Sequence, residues 1–343
     1  MKKKIISLAL QGGGSHGAFT WGVLDRLLED GRIDIEGISG ASAGAVNAVV
    51  LAHGYVVGGR DGAREALRTL WESIAAAAPF TPDALSAGTI GEALTGVSFT
   101  IGTQLNLLRH FSPSQLNPFN LNPLRDLLSN QVDFERLGAE SKIKLFIAAT
   151  HVRSGTPKIF ENQELTLKSV LASACLPFFN QAVEIDGEAY WDGGLTANPP
   201  IFPLIYSCSV DDILVVLLSP SHRPEVPTEA SDIRNRFAEI SMGATFFTEI
   251  NRIALAKQDA QQKGADGRLD RRFRDLNLHL IEAQDLMSRL HPHSKLNTRH
   301  SFFDMLHEQG RTQAELWLEN HFQTLGKRSS YPAALAPVAF RAQ

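Results

Sequence analysis

Two strand–turn–helix units follow one another within the first fifty residues, and their turns restrict what the chain can become. The first, "SLALQGGGSHGAFTWG", breaks an apolar run with Gly12, Gly13 and Gly14 and opens helix-forming sequence at Gly17. The second, "GISGASAGAVNA", ends a strand on Gly40-Ala41-Ser42-Ala43-Gly44. Further strand and helix signals alternate along the chain. That alternation predicts an α/β fold, a three-layer αβα sandwich whose mainly parallel sheet is covered on both faces. In such a sheet both turns emerge at the carboxyl edge of the strands, where open α/β folds put their ligands.

Gly12, Gly14 and Gly17 satisfy the G-x-G-x-x-G fingerprint of dinucleotide sites. That fingerprint also wants an acid at the end of the second strand, and Asp34 and Glu36 fall where that strand begins. The end of the strand carries G-x-S-x-G instead, a sharp turn that holds a serine hydroxyl above the sheet. A serine in that position needs backbone N–H groups aimed at the oxyanion formed when it attacks a carbonyl, and a glycine loop opposite it supplies them. Gly12 to Gly17 therefore reads as an oxyanion loop, with a phosphate site as the alternative.

A third stretch, "EIDGEAYWDGGLTANPPIFPL", offers the base. Asp186-Gly187 predicts a hairpin turn, and Asp192 sits on a second turn with Gly193 and Gly194. Taken alone, an Asp-Gly pair is most often a surface turn.

Together the three stretches resemble the patatin-like phospholipase family, which carries a G-G-G-x-basic-G loop, a G-x-S-x-G elbow and a D-G-[AG] turn in that order. "VLASACLPFF" (170–179) and "NPPIFPL" look like the family's flanking segments, and the resemblance spans roughly residues 5 to 220. It implies a patatin-like fold and a dyad without histidine: Ser42 as nucleophile, Asp192 as base. It implies an oxyanion hole at Gly12, Gly13, Gly14 and Ala43, with His16, Gly17, Gly40, Gly44, Gly193 and Gly194 in support, and neither metal nor organic cofactor. The family usually has Arg or Lys where this chain has His16, so a charge varying near neutral pH is expected there. An aspartate is a weak base for a hydroxyl, and burial beside Tyr190 and Trp191 is expected to raise its pKa.

The implied activity is that of a serine acyl-ester hydrolase, phospholipase A-like, working through an acyl-enzyme on a lipid. The alternatives are an esterase on a polyester store or a small acyl ester, and a nucleotide-binding regulatory protein using Gly12 to Gly17. A rival mechanism, the Ser-His-Asp triad, would draw on His222, His279, His291 or His293 downstream of Asp192.

Composition narrows the partners. A net charge of −4 gives no reason to expect nucleic acid. Two cysteines, Cys175 and Cys208, make no disulfide scaffold. "MKKKIISLAL" starts like a secretion signal, but its apolar run is short and no small-residue cleavage site comes after it. The expectation is a cytoplasmic enzyme touching membranes peripherally, of unspecified oligomeric state. Residues 1–222 read as the catalytic domain, with 79–122 a candidate cap over the serine. Beyond it, 223–326 reads as a mainly helical extension and 327–343 as a poorly structured tail.

Overall fold

The structure, a computed structural model, describes residues 3–77, 112–223, 225–263 and 267–331. Its sheet has eight strands, ordered β5-β6-β3-β2-β1-β7-β8, with β4 also paired to β3. The strands are β1 (Lys4–Leu10), β2 (Ile33–Ala41), β3 (Lys144–His151), β4 (Thr156–Glu161), β5 (Val183–Ile185), β6 (Glu188–Asp192), β7 (Asp212–Val216) and β8 (Asn277–Ile281). Five of them, β3-β2-β1-β7-β8, run parallel, while at the β3 side β4 and β6 each pair antiparallel with β3 and β5 pairs antiparallel with β6. The mainly parallel sheet expected from the sequence is therefore present.

Helices cover both faces, which is why the central strands are apolar on both sides. Ile6, Leu8 and Leu10 of β1 point into one cluster with Phe19, Val49 and Phe303, while Ala9 points into the other with Phe246 and Ile250. The first layer holds α1 (Gly17–Asp30), α2 (Ala43–Ala77) and the C-terminal helix His300–His321. The second holds Phe202–Ser207 and the long helix Ala230–Lys263.

The sequence suggests a loop over "GYVVGGRDG". Helix instead runs through it, broken only at Gly58 and Gly59, where Gly59 takes φ 62°. The apolar pattern on either side carries the helix up to the glycine pair, and no neighbour lies near enough to demand a longer excursion. Of the candidate cap, residues 79–111 lie outside the described residues, as do 332–343 of the tail. Residues 112–122 form a capped turn, Pro113–Leu116, and the chain leading to the helix Pro123–Gln131.

Residues beyond 222 do not stand apart. β8 extends the sheet by pairing with β7 from Asp212↔Asn277 to Val216↔Ile281. The helix His300–His321 lies directly against α1, because Gly22 faces the His307 carbonyl and Gly310 faces the Phe19 carbonyl with no room for a Cβ at either place. Arg311 binds Asp25 across the same seam, and Arg64 reaches that carboxylate from α2. Replacing Gly310 by Ala forces the two helices apart. We expect a loss of about 1–3 kcal/mol, read as a lower urea midpoint at unchanged slope; an unmoved midpoint would mean that the seam contributes nothing.

Candidate active site

β3 explains how residues 150 apart in the chain come together. β2 pairs with it up to Ala41↔Ala148, and β6 takes over at Ala149↔Asp192. β4 occupies the opposite edge from Phe146 to His151, so β2 and β6 must share one edge, end to end. The residue after Ala41 is Ser42, and Asp192 is the last residue of β6. The two ends abut.

Ser42 has φ 53°, a left-handed conformation that a non-glycine residue adopts only when its surroundings impose it. Its N–H is held by Ser173, at 3.1 Å from the carbonyl and 3.0 Å from Oγ. Gly40 and Gly44 give the turn its space. A Cβ on Gly40 would sit 2.7 Å from the Gly44 carbonyl, and one on Gly44 would strike the Leu10 carbonyl. The helix that leaves the turn, α2, is pinned to α1 by Asn47, which donates to the Gly17 carbonyl at 3.0 Å and accepts from Trp71 Nε1 at 3.0 Å. Gly17 lets this happen, since a Cβ there would meet Ala43 Cβ at 2.8 Å.

Asp192 is fully buried. Its N–H bonds the Cys175 carbonyl at 2.8 Å, and its Oδ1 accepts from Gly194 N–H at 2.8 Å. Gly193 presses on the Ala148 carbonyl. Oδ2 accepts no hydrogen bond among the described residues. Burial pushes the carboxyl up to about 6, against the Gly194 N–H and the Ser42 side chain, which favour the ion. Tyr190, expected as an aromatic wall, packs its ring on His151 and Phe160.

The glycine loop departs from the expectation at two positions. Gly12 is not a donor to an oxyanion hole: its N–H is taken by Asn198 Oδ1 at 2.7 Å. Its importance is spatial, because a Cβ there would lie 2.8 Å from Ser42 Cβ. The amides of Gly13, Gly14 and Ala43 meet no acceptor among the described residues. His16 is the second departure. Its charge does not vary near neutral pH, because complete burial, reinforced by repulsion from Lys295 and opposed by the Leu218 carbonyl, lowers its pKa to about 3. It is a neutral ring sharing a 2.7 Å hydrogen bond with Ser294 Oγ, 278 residues away.

The other candidates fall away from this site. His279 is buried between Asp212 and Ser330, and His291 and His293 pack edge to face on each other. Among the described residues no histidine bonds Ser42 or Asp192. Asp34 pairs with Arg60 and Lys3 at the start of β2, and Glu36 accepts from Ser209 and Val210, so neither acid lies at the loop as a dinucleotide ribose would need. Two surface cavities, of about 520 Å³ beside Glu282 and Gln309 and about 420 Å³ beside Arg223 and Glu239, exclude both Ser42 and Asp192. Among the described residues no group of His, Cys, Asp and Glu is arranged to ligate a metal. Asn198 and Ser294 are not marked as site residues by the sequence; "NPP" beside the Asp turn hints at the first, and nothing local signals the second.

Comparison with known proteins places these residues in context. The family model described as Patatin-like phospholipase matches residues 8–205. No curated protein matches the chain. Among solved structures, that of VipD from Legionella pneumophila is similar at a TM-score of 0.40 and 14% identity, covering 92% of this chain and 67% of that one.

The buried carboxyl has a signature in stability. Its folded pKa of about 6 lies above the ordinary value of 3.8, so the folded state holds the proton more tightly, and ionising Asp192 removes stability as pH rises from about 4 to about 6. Asp192→Asn cannot ionise. We expect the melting temperature of Asp192→Asn to gain on wild type across that interval and to hold a constant offset above it; an offset independent of pH would contradict the buried ionisation.

Proposed function

The chain belongs to the patatin-like phospholipase family, and on that premise we propose that it is a serine lipid acyl hydrolase in which Ser42 is the nucleophile and Asp192 the base. The observation that carries the reading is a left-handed serine at the end of β2 beside a buried carboxylate with one oxygen unpartnered. The Ser42 hydroxyl attacks the ester carbonyl as its proton passes to Asp192 Oδ2. The carbonyl electrons move to oxygen, which the N–H groups of Gly13, Gly14 and Ala43 surround. The tetrahedral intermediate collapses, the alcohol leaves with the proton from Asp192, and Ser42 is acylated. Water then repeats the sequence, with Asp192 accepting its proton and returning one to Ser42.

So weak a base is workable because the proton moves in concert with oxyanion formation and three donors are in place beforehand. The first turn of α2 adds its positive end behind Ala43. A pKa near 6 brings the base closer to the operating pH than an ordinary carboxylate.

An apolar acyl substrate fits the surroundings. Phe178 is 69% exposed on the loop after Ser173 and Cys175, which hold Ser42 and Asp192. That loop is tied by Gln181 to the Asn117 carbonyl, close in sequence to Phe119 and Leu121, which are 84% and 72% exposed. These side chains favour contact with a lipid surface over a small soluble ester. No described helix is long and apolar enough to cross a membrane, so the contact proposed is peripheral.

The test is intact mass after a fluorophosphonate. One adduct on wild type, none on Ser42→Ala and phosphonylation slowed by about 10²–10⁴-fold on Asp192→Asn are expected. No adduct on folded wild type, with or without vesicles, would overturn the proposal. A second measurement addresses the base: kcat/KM should rise tenfold per pH unit below about 6 and level off above it, whereas a profile flat down to pH 4 would remove Asp192 from the role.

A further inference from the structure

The family match ends at residue 205, yet the oxyanion loop is backed by chain far beyond it. The 3₁₀ turn Pro292–Leu296 packs behind the turn Gly14–His16. Two contacts join them. Ser294 Oγ and His16 Nε2 share a 2.7 Å hydrogen bond, with Ser294 fully buried and His16 nearly so. The Lys295 carbonyl occupies the space a Cβ would need on Gly14, whose φ of 58° is left-handed. Behind them Ser294 N–H bonds the His291 carbonyl at 2.8 Å, which closes the small turn on itself. On the other side of the loop Asn198 holds Gly12 at 2.7 Å. The loop is thus gripped at both ends, at Gly12 by the segment after Asp192 and at Gly14 to His16 by the C-terminal segment. Gly13 lies between the grips and Gly14 at the edge of the second, and the N–H groups of both meet no acceptor among the described residues.

We propose that Ser294 is a positioning residue for the oxyanion hole, acting through the His16 ring, so that the segment Pro292–Leu296 is part of the catalytic apparatus. The inference rests on the hydrolase reading above for its effect on rate, but not for its effect on the loop. The oxyanion exists only in the tetrahedral state, so donors displaced by a few tenths of an ångström weaken the transition state and leave substrate binding alone. The neutral imidazole suits the task. Its one hydrogen-bonding side-chain partner among the described residues is Ser294 Oγ, the Leu218 carbonyl also acting on the ring, and removing that hydroxyl loosens the ring beside Gly14.

The experiment pairs two readouts on wild type, Ser294→Ala and Ser294→Thr. Hydrogen exchange of the peptide covering residues 11–18 reports the grip without reference to activity, through the bonded amides of Gly12, His16 and Gly17. Turnover per fluorophosphonate-titrated site reports the hole. In Ser294→Ala we expect exchange of that peptide to quicken about tenfold, and kcat per titrated site to fall about tenfold at unchanged KM, less than the 10²–10³ for losing a donor outright. Ser294→Thr, which keeps the hydroxyl, should recover most of both. A residue that merely stabilises the fold would instead lower the number of titratable sites and leave turnover per site intact. Unchanged exchange in Ser294→Ala overturns the proposal, as does faster exchange with unchanged turnover. Faster exchange in a protein whose wild type forms no adduct would sink the hydrolase reading and leave the grip standing as a structural contact only.

Discussion

Everything at the carboxyl edge of this sheet depends on one strand serving two partners. β3 gives its first half to β2 and its last residues to β6 on the same edge, while β4 guards the other. Hydrogen-bond registers are set in steps of one residue, and a slip of one would turn every side chain to the opposite face. The meeting of Ser42 with Asp192 is therefore fixed by backbone pairing, and side-chain attraction has little to add. This is useful in a site that must bury a carboxylate, since the geometry does not rely on a charge pair to assemble it.

Two titratable groups of the candidate site, Asp192 and His16, are placed in dry surroundings, with opposite consequences. Burial raises Asp192 toward neutrality. Burial lowers His16 out of the working range altogether, which turns the ring into a neutral strut. The histidine is thus accommodated by removing its charge, and Lys295, itself depressed by burial, adds to that by repulsion.

Legible in the residues is whatever is decided locally. Glycine at positions 40 and 44, a serine between them and Asp-Gly at 186 and 192 each state a backbone requirement within five residues, and the structure meets them: Ser42, Asp186 and Gly187 all have positive φ. Hydrophobic patterning likewise marks β7 and β8 as strands, but not that they are neighbours. Illegible are the contacts between distant segments. Asn198 reaches back 186 residues to Gly12, and Ser294 reaches 278 residues to His16; neither carries a local pattern, because a lone Asn or Ser says nothing about which amide or ring it will meet. The expectation for Gly12 fails for the same reason, as its N–H is spent on a partner that only the fold supplies.

The parallel addition of β8 to β7 has a consequence for how the molecule can be divided. Every strand that bears the reactive residues lies on one side of β7, and the chain beyond residue 222 covers the other. Without that covering strand, β7 would present a bare row of N–H and C=O groups, the kind of edge on which chains stack against copies of themselves. The portion matched by the family model, residues 8–205, is consequently not one that can be lifted out of this sheet without baring β7.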